Sequence, residues 1–292
     1  MADDRFTVGL VNVMNAKIDP SVLKMLMATL CFSLMQVTVK SLSHIPAIQL
    51  VFFRGIVSLI ITFFMVRRKA LPFLGTHRTL LFWRGLTGTF ALGLFFYTLQ
   101  KLPLTTAVTL HYLAPIFTII FAALLGEERI TKKHWLCFGL ALIGVVVIKG
   151  FTFTTDLTSV FCGILSAAFA GIAYNIVHRL KGREDPLIVV FYFPLLVVPI
   201  AGPLSIPTWV GPVSYDWVKI ILLGLLTQIA QILLTQSYQG NKVGKVAIVN
   251  YFGPFLAIIW GSLFFNEEVS LKAFLGIGII LFAVVYLNHK DR

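Results

Sequence analysis

Residues 112–128 read YLAPIFTIIFAALLGEE, and residues 251–267 read YFGPFLAIIWGSLFFNE. Each stretch opens on a tyrosine, carries a proline three positions later, continues through an apolar run and ends on a glutamate. The same offset of 139 residues aligns residues 105–148 with residues 244–287 without a gap. Tyrosine, proline and glutamate pairs in one register indicate an internal repeat more strongly than leucine pairs do, because apolar helices match one another readily by chance.

The repeat extends over most of the chain. At the same offset, polar positions pair in the earlier part of each unit: Gln36 with Asn175, Lys40 with Arg179, and Gln100 with Gln239. We divide the chain into a polar tail, 1–19, a first unit, 20–150, and a second unit, 157–289. The tail lacks the pattern of a signal peptide and is expected in the cytoplasm. Four glycines are expected at close helix contacts: Gly85, Gly139, Gly224 and Gly278.

The composition is that of a membrane protein. Hydrophobic residues make up 58% and charged residues 12% of the 292-residue chain, and the mean hydropathy is +0.90. Soluble domains carry about 25% charged residues, and a soluble fold of this composition would expose enough apolar surface to aggregate. Barrel strands alternate and are about ten residues long, which does not fit the longer apolar runs seen here.

A helix that crosses a bilayer needs about 20 apolar residues. Apolar runs of roughly that length lie near 21–42, 46–66, 78–100, 104–125, 133–149, 158–179, 186–204, 217–239, 244–265 and 271–288. The sequence therefore predicts an all-α integral membrane protein with ten transmembrane helices.

The charge distribution predicts the topology. The net charge of +12 is spread over short loops between apolar runs and not over one solvated face, which argues against nucleic acid as a partner. Most basic residues fall at one set of loop ends, so we expect both termini in the cytoplasm. Each unit then holds five spans, an odd number, and the second unit is inverted relative to the first. Inverted repeats typically enclose a substrate site near the midplane, which predicts transport by alternating access.

Two arginines lie inside predicted spans. Ionisable residues in a bilayer are costly, by about 2.5–3.5 kcal/mol on insertion scales, so Arg54 and Arg84 are candidate substrate ligands. The alternative is that each side chain extends along its helix to the nearer interface. None of the twelve acids falls in the middle of a span. Positive charge without acids favours a substrate that carries a carboxylate or a phosphate.

The fourth and ninth spans carry matching polar positions next to a proline. Pro115 and Pro254 each remove a backbone donor and free the carbonyl one turn earlier. Freed carbonyls are tolerated in a membrane where protein or a wet cavity satisfies them. We therefore interpret the residues at these breaks as cavity lining, with an interhelical hydrogen bond as the alternative: His111, Tyr112, Asn250 and Tyr251.

Further polar side chains occur on spans that are expected to face the cavity. Each alone is compatible with a hydrogen bond between helices. Together they predict a site that binds through hydrogen bonds as well as stacking: Gln36, Tyr97, Asn175, Gln228 and Gln231.

No motif for an enzyme, a cofactor or a metal was found. The chain has no Walker loop, no His-Glu-x-x-His and no Gly-x-Ser-x-Gly. Its three cysteines match no metal spacing. We therefore predict a transporter that is not driven directly by ATP, not an enzyme, with no cofactor and no metal. An intramembrane enzyme that uses His111 is a remote alternative.

Residues 112–147 and their repeat resemble the EamA family of the drug/metabolite transporter superfamily. The motifs that carry the resemblance are a proline in the fourth and ninth helices, a glutamate where each of them ends, and an arginine in the second helix: Pro115, Pro254, Glu128, Glu267 and Phe53-Arg54. The first unit departs from the pattern by an extra acid, Glu127. The resemblance implies ten helices, cytoplasmic termini and a central cavity lined by both halves. Family substrates include amino acids, nucleotide-like metabolites, S-adenosylmethionine, vitamins and drugs.

The function expected from the sequence is secondary transport of a small polar metabolite across the cytoplasmic (inner) membrane. The metabolite is an anion or zwitterion, such as an amino acid, an S-adenosylmethionine-like compound or an organic acid. A lipid or lipid-headgroup translocase of the same architecture is the alternative. Glu128 and Glu267 are interpreted as gates or anchors that pair with loop Lys or Arg, or else as solvated helix ends. Membrane lipids and the substrate are the expected partners, for a monomer or a homodimer.

Overall fold

The computed structural model describes residues 20–124, 156–240, 252–268 and 271–288, together with single positions between 132 and 147. In these ranges the regular structure is helical throughout. We number the helices α1 (Pro20–Ser41), α2 (Ala47–Arg68), α3 (Arg78–Lys101), α4 (Leu104–His111), α5 (Ala114–Leu124), α6 (Leu157–Arg179), α7 (Pro186–Ser205), α8 (Ser214–Gly240), α9 (Phe252–Phe265) and α10 (Leu271–Asn288). A single 3₁₀ turn, Ile206–Thr208, follows α7.

Within the described ranges, seven helical segments are long and apolar enough to cross a membrane. They are α1, α2, α3, the run Leu104–Leu124 formed by α4 and α5, α6, α7 with its 3₁₀ turn, and Ser214–Ser237 of α8. Large apolar side chains such as Phe64, Phe161 and Ile221 point outward and are exposed. Apolar surface of this extent needs lipid as its solvent, which agrees with a multi-pass membrane protein.

The fourth predicted span is divided in two. We predicted one helix over 104–125, but α4 ends at His111 and α5 begins at Ala114. The N–H of Tyr112 bonds to the carbonyls of Val108 and Thr109, which tightens the last turn of α4. Pro115 is the second residue of α5, where its missing N–H costs no helical hydrogen bond. The fifth predicted span, 133–149, lies largely outside the described residues.

The helices pack in pairs that follow the internal repeat. The offset of 139 residues matches α1 with α6, α2 with α7, and α3 with α8. The repeat therefore relates two sets of contacts. The contact between α1 and α8 is equivalent to the contact between α6 and α3. The contact between α3 and α7 is equivalent to the contact between α8 and α2. Helices α2 and α7, which correspond to each other, also pack together. Residues from both sides of position 150 share one apolar core.

Two glycines allow the closest of these equivalent contacts. A Cβ added to Gly85 of α3 would lie 2.6 Å from Leu196 of α7, and one added to Gly224 of α8 would lie 2.5 Å from Val57 of α2. Gly85 and Gly224 are one repeat pair, and Val57 and Leu196 are another. The other two glycines predicted at close contacts, Gly139 and Gly278, have no described atom within 4 Å of an added Cβ.

Carboxylates fix the starts of α6 and α7. The Asp156 side chain accepts a hydrogen bond from the N–H of Thr158 at 3.0 Å, and Asp185 accepts from the N–H of Leu187 at 2.8 Å. A carboxylate in this position satisfies a free N–H of the first turn and interacts favourably with the helix dipole. The hydrogen bond from Ser159 is the largest cause of the lowered pKa of Asp156.

Candidate ligand-binding cavity

A cavity lies between helices that come from both halves of the chain. It holds about 770 Å³ of empty space, part of it continuous with the outside. Helices α1, α2, α3 and α4 contribute to its wall from the first half, and α6, α7 and α8 from the second. The polar lining side chains are Gln36, Arg54, Arg84, His111, Tyr112, Tyr174 and Gln231.

Arg54 and Arg84 reach the cavity from different helices and meet at one aromatic ring. The two residues are 2% and 5% exposed. Each guanidinium carbon lies 5.0 Å from the ring centroid of Phe193 on α7. Arg54 follows the start of α2 by seven residues, and Arg84 follows the start of α3 by six, so each Cα is about 10 Å from its helix end. Both guanidinium groups lie inside the bundle and do not extend to an interface.

The two arginines are not neutralised by the described part of the protein. Nε and Nη1 of Arg54 and Nε of Arg84 are buried without a hydrogen-bond partner. Neither residue pairs with any carboxylate of the described ranges. Contact with the face of Phe193 gives each cation some electrostatic stabilisation. It does not satisfy N–H groups, and such groups are costly when buried and unpaired.

Gly88 makes room for this arrangement. It lies one turn after Arg84 on α3 and lines the cavity. An added Cβ would lie 2.5 Å from Nη1 of Arg84 and 2.9 Å from the Phe193 ring. Any larger residue at this position would displace the guanidinium group or the ring.

His111 is held in place at the end of α4. Its ring stacks on Phe95, with centroids 4.2 Å apart and an angle of 24° between the planes. Its Nδ1 lies 3.4 Å from the Ser166 hydroxyl oxygen, and that hydroxyl donates to the carbonyl of Ala91 at 2.8 Å. Because the Ser166 hydroxyl donates its proton to the Ala91 carbonyl, Nδ1 of His111 is the donor in the contact with Ser166. His111 also lines the cavity.

Tyr112 marks a close contact between the halves. It lines the cavity at the break between α4 and α5. A Cβ added to Gly253, near the start of α9, would overlap the Tyr112 hydroxyl group. Pro254 follows in the first turn of α9.

The remaining predicted residues are placed elsewhere or lie outside the described ranges. Asn175 donates through Nδ2 to the carbonyl of Thr118 at 3.3 Å and so joins α6 to α5. Tyr97 packs against the apolar core, and Gln228 is buried but does not line this cavity. The predicted residues outside the described ranges are Glu128, Asn250 and Tyr251.

Glu267 lies at the end of α9 and joins it to the first half. Its carboxylate pairs with Lys40 of α1 at 3.1 Å and accepts from the N–H of Leu104 at 2.7 Å. Lys40 also donates to the carbonyl of Leu102 at 2.7 Å. These contacts connect α1, α4 and α9, and Lys40 lies in the last turn of α1 and not in a loop.

Sequence reasoning missed the aromatic wall. Phe193, Phe95 and Tyr174 line the cavity, but 26 phenylalanines are too many for composition to single any out. The repeat carried the missing signal, since the offset of 139 pairs Arg54 with Phe193. Other lining residues pair in the same way: Met35 with Tyr174, Leu92 with Gln231, and Phe95 with Leu234.

A metal site is not present in the part of the chain that the structure describes, where no three His, Cys, Asp or Glu side chains cluster. The cavity instead combines cationic, amide and hydroxyl groups with aromatic walls. Such a site can bind and orient an anionic or zwitterionic organic molecule.

Known proteins with similar sequences include transporters. The chain matches the EamA-like transporter family over residues 20–150 and again over residues 157–288. The pseudopaline exporter CntI of Pseudomonas aeruginosa is 28% identical over 274 residues, which cover 93% of this chain and 96% of the exporter. The S-adenosylmethionine uptake transporter of Rickettsia prowazekii is 23% identical over 222 residues, which cover 76% of this chain and 73% of that protein.

A solved crystal structure has the same fold. It superposes with a TM-score of 0.65 at 17% sequence identity, and the match covers 91% of this chain and 96% of the other. The two matched family segments together account for most of the sequence. The chain belongs to the EamA-like transporter family and is a multi-pass membrane protein.

Proposed function

We propose that this protein is a secondary transporter of a small anionic or zwitterionic metabolite, and that the central cavity is its substrate site. The observation that carries the proposal is the pair Arg54 and Arg84, buried in the cavity with N–H groups that no described side chain or backbone group accepts. A substrate carboxylate or phosphate would supply the missing acceptors. Guanidinium groups suit both because their N–H groups match the geometry of two oxygens.

The relatives support the general class. One is named as an exporter of pseudopaline and another as an uptake transporter of S-adenosylmethionine, so both move small metabolites. Because the two are named for opposite directions, the proposal covers small-molecule transport and leaves its direction open.

The architecture we propose is ten transmembrane helices in two inverted units, 20–150 and 157–289. The equivalent contacts of Gly85 with Leu196 and Gly224 with Val57 support a twofold relation between the units. The polar tail 1–19 and both termini are assigned to the cytoplasmic side of the inner membrane, because the basic residues concentrate at the corresponding loop ends.

In the proposed mechanism the two halves rock about the cavity. Arg54 and Arg84 hold the anionic part of the substrate, and Gln36, His111 and Gln231 offer further hydrogen bonds from the wall. Substrate binding would offset the cost of the two buried charges. The Lys40–Glu267 pair joins the halves at one end of the bundle and would have to break for that end to open.

Asn250 and Tyr251 remain proposed lining residues on the strength of the repeat, which pairs them with His111 and Tyr112. Replacing Asn250 with alanine tests this part of the proposal. We expect a reduced response to any ligand whose binding also depends on His111.

The test is a thermal-shift screen of the purified protein in detergent. The library includes amino acids, S-adenosylmethionine, dicarboxylates, nucleotides and lipid headgroups. A ligand that binds the native state at 100 times its Kd stabilises it by about 2.7 kcal/mol. We expect anionic or zwitterionic hits whose effect disappears in Arg54→Gln and Arg84→Gln, followed by flux of the same compound in proteoliposomes.

Arg67→Gln is the matched control, because Arg67 lies on the same helix as Arg54 but is exposed at its end. Hits that survive both cavity substitutions would contradict the proposed site. Stabilisation by lipid headgroups alone, without a soluble metabolite, would favour the lipid translocase.

A further inference from the structure

We infer that the ligand of the central cavity carries two anionic groups, one for each arginine. The inference rests on the proposed function, since it specifies the charge of the molecule that this same cavity would bind. Carboxylate and phosphate groups share the required chemistry, and the experiment below distinguishes them.

The ligand must balance the positive charge of the two cavity arginines. Among the described residues, the cavity wall contains two guanidinium groups and no carboxylate. Its other polar side chains are amides, phenols and one imidazole, none of which is a permanent anion. A ligand with a single negative charge would leave one buried cation without a counter-ion, and buried uncompensated charges are strongly unfavourable. A dianion neutralises both.

Arg54 and Arg84 each offer hydrogen-bond donors of their own. Arg54 has two buried nitrogens whose N–H groups find no partner among the described residues, and Arg84 has one. The donors belong to different helices, so they do not form a single fork. Each guanidinium group can therefore engage its own carboxylate or phosphate.

The distance between the arginines sets the size of the ligand. Both guanidinium carbons lie 5.0 Å from the same Phe193 centroid, so they cannot be more than twice that distance apart. A molecule in which a short chain joins two anionic groups can reach both at once. Phe193 contacts both cations.

The wall between the polar groups indicates what joins the two anions. Phe32, Met35, Leu92 and Phe95 line the cavity, so the connecting part is carbon-rich. Gln36 and Gln231 can accept or donate to a hydroxyl, amino or amide substituent. Gln36 Oε1 is buried and receives no hydrogen bond from the part of the chain that the structure describes, so it can act as an acceptor.

The experiment measures binding to the wild-type protein in detergent by thermal shift and calorimetry. The first series has constant shape and falling charge: glutarate (two charges), its monoamide glutaramate (one) and glutaramide (none). We expect glutarate to bind at least tenfold more tightly than glutaramate, and glutaramide not to bind. Malonate, succinate and adipate vary the chain length, and 3-phosphonopropionate replaces one carboxylate by a phosphonate.

Variants then assign one anion to each arginine. Arg54→Gln and Arg84→Gln are each expected to lower glutarate affinity to the level of glutaramate, so the tenfold preference disappears. Arg54→Lys and Arg84→Lys, which keep the positive charge, are expected to retain part of the preference for glutarate over glutaramate. Arg67→Gln leaves the preference unchanged.

Each outcome decides one question. Equal affinity for monoanions and dianions of the same shape overturns the two-anion inference and leaves the proposed function standing. Absence of binding by every dianion, with binding of neutral or cationic metabolites, overturns both. Tight binding of 3-phosphonopropionate but of no dicarboxylate supports the inference and identifies a phosphate-type group as one of the two anions.

Discussion

Glu267, at the end of α9, pairs with Lys40 and accepts a hydrogen bond from a backbone N–H. Arg54, inside α2, instead has two buried N–H groups for which the described chain offers no acceptor. The same contrast holds elsewhere in the described chain. Asp216 contacts His44 at 3.0 Å, and Glu184 accepts from the Thr76 hydroxyl at 2.6 Å. These three carboxylates near helix ends have partners within the described chain, while the two central guanidinium groups have no carboxylate partner there.

The difference separates groups that stabilise the fold from groups that are kept for a ligand. A paired carboxylate at a helix end joins elements, as Glu267 joins α9 to α1 and α4. A buried cation without a counter-ion lowers stability. Its presence is explained when another molecule supplies the charge during function.

The largest expected effect comes from giving the central arginines a carboxylate of their own. Phe193→Glu places an acid next to both guanidinium groups, and Phe193→Gln is the control with the same loss of packing. Because removing one partner of a buried ion pair costs about 3–5 kcal/mol, we expect the Glu variant to be more stable than the Gln variant by an amount of that order. Melting temperatures of the two variants measure it.

The same substitution should abolish ligand binding, because the internal carboxylate replaces the external anion. We expect no thermal shift of Phe193→Glu with ligands that stabilise the wild type. A Glu variant that melts at or below the Gln variant would show that the arginines need no counter-ion.

A smaller loss is expected at the helix-end pair. Glu267→Gln removes the charge from a carboxylate whose side chain is 16% exposed, next to Lys40 at 17%. Hydrogen bonds to charged groups contribute about 1.5–3 kcal/mol, so we expect a loss of stability in this range. Glu268→Gln, at the exposed neighbouring position, is the control and should change little.

A double-mutant cycle with Lys40→Met separates the ion pair from the backbone hydrogen bond. If the two substitutions add without coupling, the Lys40–Glu267 contact does not stabilise the fold and our description of the helix ends is wrong.

A still smaller effect is expected in the pH dependence of stability, through the carboxyl group of Glu184. Burial alone would raise the pKa of this carboxyl, but hydrogen bonds from Thr76 and His77 outweigh it and lower the pKa below its usual value. A carboxyl with a lowered folded-state pKa contributes stability above its unfolded pKa, near 4.3, and loses it as pH falls through the folded value. We expect the melting temperature of the wild type to fall more steeply below about pH 4.5 than that of Glu184→Gln. Parallel curves would contradict the assignment.

The smallest effect is expected at the His44–Asp216 pair. The His44 side chain is 52% exposed, and exposed ion pairs contribute about 0–1 kcal/mol. His44→Gln should therefore change the melting temperature only slightly. At high salt the melting temperatures of the variant and the wild type should be equal. A change as large as that of Glu267→Gln would remove the distinction between exposed and buried helix-end pairs.

The apolar pattern predicted the helices well where a single helix crosses the bundle. The expected run 78–100 corresponds to α3, Arg78–Lys101, and 158–179 corresponds to α6, Leu157–Arg179. The sequence did not predict the break between α4 and α5, because the apolar run continues across it. Pro115 indicated a freed carbonyl at His111, but whether the chain kinks or restarts depends on the neighbouring helices that pack there.

The candidate site was predicted less completely, because periodicity does not fix which face of a helix points inward. Gln36 and Asn175 occupy equivalent positions, yet Gln36 lines the cavity and Asn175 faces Thr118 of α5. Arg54 and Arg84 could be singled out because charge inside an apolar span is rare. Phe193 could not, since its role comes from two arginines that approach it from other helices.

The central claim is that the two buried arginines serve a ligand and not the fold. The most direct test is the double variant Arg54→Gln/Arg84→Gln, measured for stability without ligand and for its response to a ligand of the wild type. We predict a protein at least as stable as the wild type, because two unpaired buried charges are gone, and a ligand response that is abolished. A double variant that is markedly destabilised and still binds the ligand would contradict the claim.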